Sequence, residues 1–182
     1  MSRIGKQLIK VPSGVEVIIT PAVLSVRIKV KGPKGELSRD FKNDVVIARE
    51  GDIFTLKPVS ESIFHRALWG TYASHLKNMI EGVTDGFTKR LLIEGIGFKA
   101  DIIAGKLQMA LGYSHPIIIP VPAELKLVME KGAIVISGVD KDLVGEYAAR
   151  IIRWKKPEPY KGKGIRHEGQ TIRRKQGKKS VA

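Results

Sequence analysis

Setting Gly32 against Gly112 aligns two stretches of this chain at a constant shift of about 80 residues, and an internal repeat of that length dictates two like modules rather than one large one. Residues 24–32 (LSVRIKVKG) fall on 104–112 (AGKLQMALG), and both alternate apolar with polar residues over much of their length, as half-buried strands do. Farther on, Glu50 falls on Glu130, Phe54 on Ile134, Leu56 on Ile136 and Val59 on Val139. Each copy then enters a helical pattern. The first predicts a helix over 61–81, with Phe64, Leu68, Tyr72 and Leu76 along one apolar face. In the second, Asp140 is the expected N-cap, Asp142 suits the positive end of the helix dipole, and Val144, Ala148, Ile151 and Ile152 form the apolar face.

Short strands bounded by turns, at 15–20, 23–31, 45–49 and 53–57, point to antiparallel pairing, because parallel neighbours need a long crossover. The expected fold class is therefore α+β: two tandem similar domains, each an antiparallel sheet packed against one long helix, followed by an extended basic C-terminal tail. Gly82-Val83-Thr84-Asp85-Gly86 has glycine at both ends and reads as the link. The predicted boundaries are 1–82, 83–155 and 156–182.

Charge is concentrated at the carboxyl end. The 182 residues carry a net charge of +14, and from Arg150 onward twelve basic residues face only Glu158 and Glu168. Such an excess draws a protein toward polyanions, nucleic acid first and an anionic membrane surface second. No apolar run is long enough for a membrane span, the first residues lack a signal-peptide apolar core, and there is no cysteine, so a cytoplasmic protein without disulfides or thiol chemistry is expected. Past Trp154, Pro157, Pro159, Gly162, Gly164, Gly169 and Gly177 break any period, while Ile165, Ile172 and Val181 stand alone. Read this way, the tail is mobile in water and becomes ordered on a phosphate backbone, where counterion release offsets the ordering entropy. Lys161-Gly162-Lys163-Gly164 spaces two ammonium groups with residues that let the backbone approach a phosphate, and Tyr160 can stack on a base or sugar. Arg153, Arg166, Arg173 and Arg174 offer planar forks for defined contacts, with Lys175, Lys178 and Lys179 adding charge. Charge alone does not distinguish RNA from DNA.

Gly95-Ile96-Gly97-Phe98-Lys99-Ala100 matches a dinucleotide-binding pattern after an apolar strand at 90–94. That fingerprint needs a helix starting at the glycines, yet 100–111 reads as strands broken at Ala104-Gly105, so a glycine turn is the expected structure. Secondary nucleic-acid contact is assigned to Lys89, Arg90, Gly95, Gly97 and Lys99 around this turn, and to Ser114 and His115. His65, His75, His115 and His167 have no metal-ligand spacing, and Gly32-Pro33-Lys34-Gly35 lacks the ending of a phosphate loop and reads as a hairpin turn. No catalytic residue, metal or cofactor is expected.

Residues 157–165 (PEPYKGKGI) resemble the hallmark segment of the bacterial ribosomal protein L-six family. Residues 11–15 (VPSGV), 30–35 (VKGPKG), 82–87 (GVTDGF), 111–116 (LGYSHP) and 138–141 (GVDK) also look like that family, in order and over nearly the full chain. The resemblance implies two αβ domains arisen by duplication and no enzymatic activity. It implies attachment to 23S ribosomal RNA of the 50S large subunit, near the factor-binding region and the stalk base, beside other large-subunit proteins, with no membrane or small-molecule partner. By motif position it gives RNA contact to Lys155, Lys156, Tyr160, Lys161, Gly162, Lys163, Gly164 and Arg166. Glu146 and His167 depart from the family pattern, where glutamine and an aromatic residue are expected.

Overall fold

The computed structural model describes residues 4–177. They form thirteen strands and two helices, and the chain divides into two compact units, residues up to Gly86 with the segment 139–141, and from Phe87 to Gly138 with the residues from Asp142 onward.

The first unit contains β1 (Ile9–Lys10), β2 (Glu16–Pro21), β3 (Ser25–Gly32), β4 (Gly35–Lys42), β5 (Val45–Glu50), β6 (Ile53–Pro58) and α1 (Ile63–Thr84). Its strands make two antiparallel three-stranded sheets, ordered β2-β3-β4 and β1-β6-β5. Gly32 pairs with Gly35, which leaves Pro33 and Lys34 as the hairpin turn expected from the sequence. Ser62 caps α1, its hydroxyl accepting from the His65 backbone N–H at 3.3 Å. The helix buries Ala73, Leu76, Ile80 and Val83 against Ile28, Val30, Phe41 and Phe54. Phe64, counted in the apolar face above, is 61% exposed. Each four-residue step overshoots a full helical turn by about 40°, so three steps carry Phe64 about 120° from Leu76 and off the sheet. Residues 82–84, read as linker, are the last turn of α1, held there because Val83 is fully buried.

The second unit repeats this plan with β7 (Phe87–Glu94), β8 (Lys99–Ile103), β9 (Lys106–Ala110), β10 (Ile117–Pro120), β11 (Leu125–Glu130), β12 (Ala133–Gly138) and α2 (Lys141–Trp154). One sheet is ordered β10-β9-β8 and the other runs β11-β12-β7 and then a fourth strand; the first six strands match the first unit strand for strand. Each unit thus splits its strands between two sheets instead of the single sheet expected. Of the predicted apolar face of α2, Val144, Ala148 and Ile151 are buried, joined by Tyr147, while Ile152 is half-buried at its border.

The pairing registers test the repeat residue by residue. Phe54 and Leu56 correspond to Ile134 and Ile136, as the shift of about 80 requires. In β3 and β9 the register is one residue off. Ile19 pairs with Ile28 as Ala100 pairs with Met109, so buried Ile28 corresponds to buried Met109 and not to half-exposed Gln108. A one-residue slip turns every side chain to the opposite face, which an alignment of weak alternation does not detect.

The main departure from the sequence reading lies in the tail. Gly164–His167 forms a strand, β13, paired antiparallel with β7 from Gly164 opposite Glu94 to His167 opposite Leu91. Ile165, which seemed isolated, is fully buried in the second core. The edge of β7 supplies backbone partners and the core supplies apolar contact, so this part of the tail is ordered without RNA.

Candidate nucleic-acid interface

Three segments of the second unit converge beyond the end of α2. The first is the loop from Lys155 to Lys163, closed by Glu158 N–H donating to the Lys163 carbonyl at 2.8 Å and Gly162 N–H donating to the Glu158 carbonyl at 3.0 Å. The glycines are needed here for different reasons. Gly162 sits at φ 74°, in the left-handed region. Gly164 has φ 143°, and a Cβ on it would lie 2.6 Å from the Lys156 carbonyl oxygen and 2.7 Å from Pro157 Cα. The backbone of β13 and the foot of the loop therefore touch, and Ile165 N–H donating to the Lys155 carbonyl at 2.8 Å locks them.

The second segment is the turn Gly95–Phe98 between β7 and β8, with Phe98 N–H donating to the Gly95 carbonyl at 3.3 Å. It leads into a strand, as the pattern of residues 100–111 suggested. The third is the loop 111–116 before β10, whose Tyr113 hydroxyl donates to the Trp154 carbonyl at 2.8 Å. The Lys155 ammonium stands 5.1 Å from the Tyr113 ring centroid and 5.9 Å from that of Phe98, a cation held over two aromatic faces. Phe98, Tyr113, Trp154, Arg153, Lys155, Lys156, Glu158 and Lys163 line a cleft of about 570 Å³.

Of the predicted residues, Arg153, Lys156, Tyr160, Lys161, Arg173, Arg174 and Lys175 are exposed, while Lys155 and Lys163 are half-buried. Arg174 comes back over the turn, its Nη2 being 3.1 Å from where a Gly162 Cβ would stand, and Lys175 N–H donates to the Pro159 carbonyl at 2.8 Å. The terminal basic segment and the loop thus form one cationic surface. Lys178 and Lys179 lie outside the described residues.

Two predicted contacts are engaged within the protein. Arg166 donates to the Glu94 carboxylate and, at 3.1 Å, to the Gln170 carbonyl. Arg90 bridges Glu130 at 2.6 Å and Glu168 at 3.1 Å. Both arginines clasp β13 to its sheet. Lys89, Gly97 and Lys99 are exposed, as are Ser114 and His115, and Gly95 is half-buried beneath Phe98. His167 is pushed below the usual histidine range, first by burial and then by repulsion from Lys89. The sequence reading passed over Phe98, Tyr113 and Trp154 as site residues. Their signal was aromatic residues interleaved with cations, which is legible only once separate segments are brought together.

This surface gathers ammonium and guanidinium donors, backbone curvature and aromatic faces, which suits phosphates and stacked bases. No helix among the described residues is long and apolar enough to cross a membrane, and no group of three or more metal-ligating side chains occurs among them.

One family model, described as ribosomal protein L6, matches residues 11–86 and again 94–168, so the two units are copies of the same module. The chain is 46% identical over 179 residues to the large ribosomal subunit protein uL6 of Bacillus anthracis, covering 98% of each. It is 44% identical to that of Aster yellows witches'-broom phytoplasma, covering 98% of this chain and 96% of the relative, and 43% identical to that of Novosphingobium aromaticivorans, covering 98% and 99%. The repeated module, the matches across both units and the similarity over nearly the whole length together establish that this chain belongs to the ribosomal protein L6 family.

Proposed function

We propose that the chain is a structural constituent of the large ribosomal subunit that binds 23S ribosomal RNA through its second unit and C-terminal segment. It acts in translation as a scaffold and not as an enzyme. The observation that carries the reading is the cationic surface built by the loop 155–163, closed by its own backbone hydrogen bonds and bearing Lys156 and Lys161, and the segment 173–175, joined to it where Lys175 N–H donates to the Pro159 carbonyl and the Arg174 side chain lies beside Gly162. Lys155 and Lys163 line the adjoining cleft, and exposed Tyr160 offers a stacking face. Gly162 and Gly164 shape the turn, while Arg166 positions it through Glu94. Lys89, Lys99, Ser114 and His115 extend the contact, and the first unit braces neighbouring proteins near the stalk base and factor-binding region.

If six to ten phosphates are engaged, affinity for folded large-subunit RNA falls about 10³–10⁵-fold between 50 and 200 mM salt. Truncating the tail is a poor test, since it removes β13 and Ile165 from the core. The discriminating variant is Lys156→Gln, Lys161→Gln, Arg173→Gln and Arg174→Gln combined, all on exposed side chains. It should flatten the salt dependence while leaving the circular dichroism unchanged. Binding unaffected by the four substitutions, or equal preference for duplex DNA, refutes the reading.

A further inference from the structure

The pairing registers of the two units leave one strand position of the first without a counterpart among the described residues. Ile9 stands opposite Phe54 as Leu91 stands opposite Ile134, and Val11 N–H donates to the Asp52 carbonyl at 2.9 Å as Ile93 N–H donates to Gly132 at 2.9 Å. Residues 8–12 are therefore the counterparts of 90–94. In the second unit this edge carries β13, with Gly164, Ile165, Arg166 and His167 opposite Glu94, Ile93, Leu92 and Leu91, and Glu168 N–H donating to the Arg90 carbonyl at 3.0 Å. In the first unit, among the described residues, β1 is the last strand of its sheet.

The vacant edge is also a groove. Leu8, Ile9, Lys10 and Pro12 form one wall and Lys77, Ile80 and Glu81 of the second half of α1, with Asp85 at its C-cap, the other, around about 700 Å³. Antiparallel alternation sends the Val11 N–H toward β6, so the Lys10 N–H and carbonyl, and those of Leu8, point to the open side. Leu8 is 62% exposed beside them. Pro12 has no N–H to offer, which limits pairing to a short segment. Unpaired backbone groups above an apolar floor are a template for a peptide strand. The carboxylates of Glu81 and Asp85 disfavour a nucleic-acid backbone.

We propose that this groove takes an extended segment of a separate polypeptide as an added antiparallel strand, in the place that β13 holds in the duplicate unit. The chemistry of the occupant follows from β13. An aliphatic residue stands opposite Val11, where Ile165 stands opposite Ile93, and drops onto Ile80. Its neighbour opposite Lys10 is acidic or neutral, because a cation there would face a cation. The inference is independent of the RNA-binding reading.

The test is a titration of the isotope-labelled full chain with a synthetic peptide copying residues 162–170 but carrying Arg166→Glu. Saturable amide shifts confined to 7–12 and 77–85 are expected, weakened at least about tenfold when the peptide also carries Ile165→Asp. Lys10→Pro in the protein, which deletes the free-edge donor on an exposed residue, should abolish them with the remaining amides undisturbed. Absence of saturable shifts, shifts centred on 90–94 through displacement of β13, an effect insensitive to Lys10→Pro, or equal perturbation of 7–12 by a single-stranded RNA oligomer overturns the proposal.

Discussion

Replacing Ile165 with alanine asks whether a strand carried by the basic tail belongs to the hydrophobic core. Ile165 is fully buried, in the same core cluster as Leu91, Ile136 and Ile151. Losing its three outer carbons removes about 2.4 kcal/mol of transfer free energy at about 0.8 kcal/mol each. The cavity left behind adds to this, and isoleucine-to-alanine changes in packed cores cost about 2–5 kcal/mol. About 3 kcal/mol is expected for the second unit. The two tryptophans allow that unit to be followed separately: Trp69 belongs to the first and Trp154 ends α2, so a Trp69→Phe background leaves one reporter. Urea unfolding read by Trp154 fluorescence should show the midpoint falling in proportion, with Ile165→Val giving about 0.5–1.5 kcal/mol. Exchange of the Ile165 amide, bonded to the Lys155 carbonyl, should accelerate in step. A change below about 0.5 kcal/mol for the alanine variant, the range of surface substitutions, would show that β13 is not integral to the fold.

Gly164→Ala forces a side chain into the backbone of Lys156 and Pro157 at a positive φ, and should cost at least about 1–3 kcal/mol in the same assay. Gly169→Ala, also at positive φ but with nothing within 4 Å, should cost less and leave RNA affinity intact, whereas Gly164→Ala lowers both. His167 titrates below its ordinary value of 6.5 in the folded state, so the unfolded chain binds its proton first. Its contribution is complete above pH 6.5 and is lost as the pH falls toward the folded value. The urea midpoint of the second unit should therefore drop more between pH 7.5 and 5.0 than that of His167→Gln, and equal drops in the two proteins would remove the assignment.

Much was written locally. The hairpin at Pro33-Lys34, the turn at Ala104-Gly105 and the apolar face of α2 depend on glycine conformations and on helical or alternating periods, which are properties of neighbouring residues. The repeat and the charge gradient likewise revealed two similar modules and a basic end. Position along the chain could not show that Ile165 is core. It has no apolar neighbours in sequence, and its burial comes from a β7 edge some seventy residues away.

The candidate surface divides along the same line. Its cations and glycines were visible as a run, but Phe98 and Tyr113 under Lys155 come from distant loops. Arg90 and Arg166, alike in sequence to any phosphate-binding arginine, are engaged in ion pairs with Glu94, Glu130 and Glu168. Short-range pattern thus decided which elements form and how the modules repeat. Only the tertiary fold decided which edge each strand completes, which charges face solvent and which edge stays open, because backbone pairing and ion pairing are settled between residues that the sequence keeps far apart.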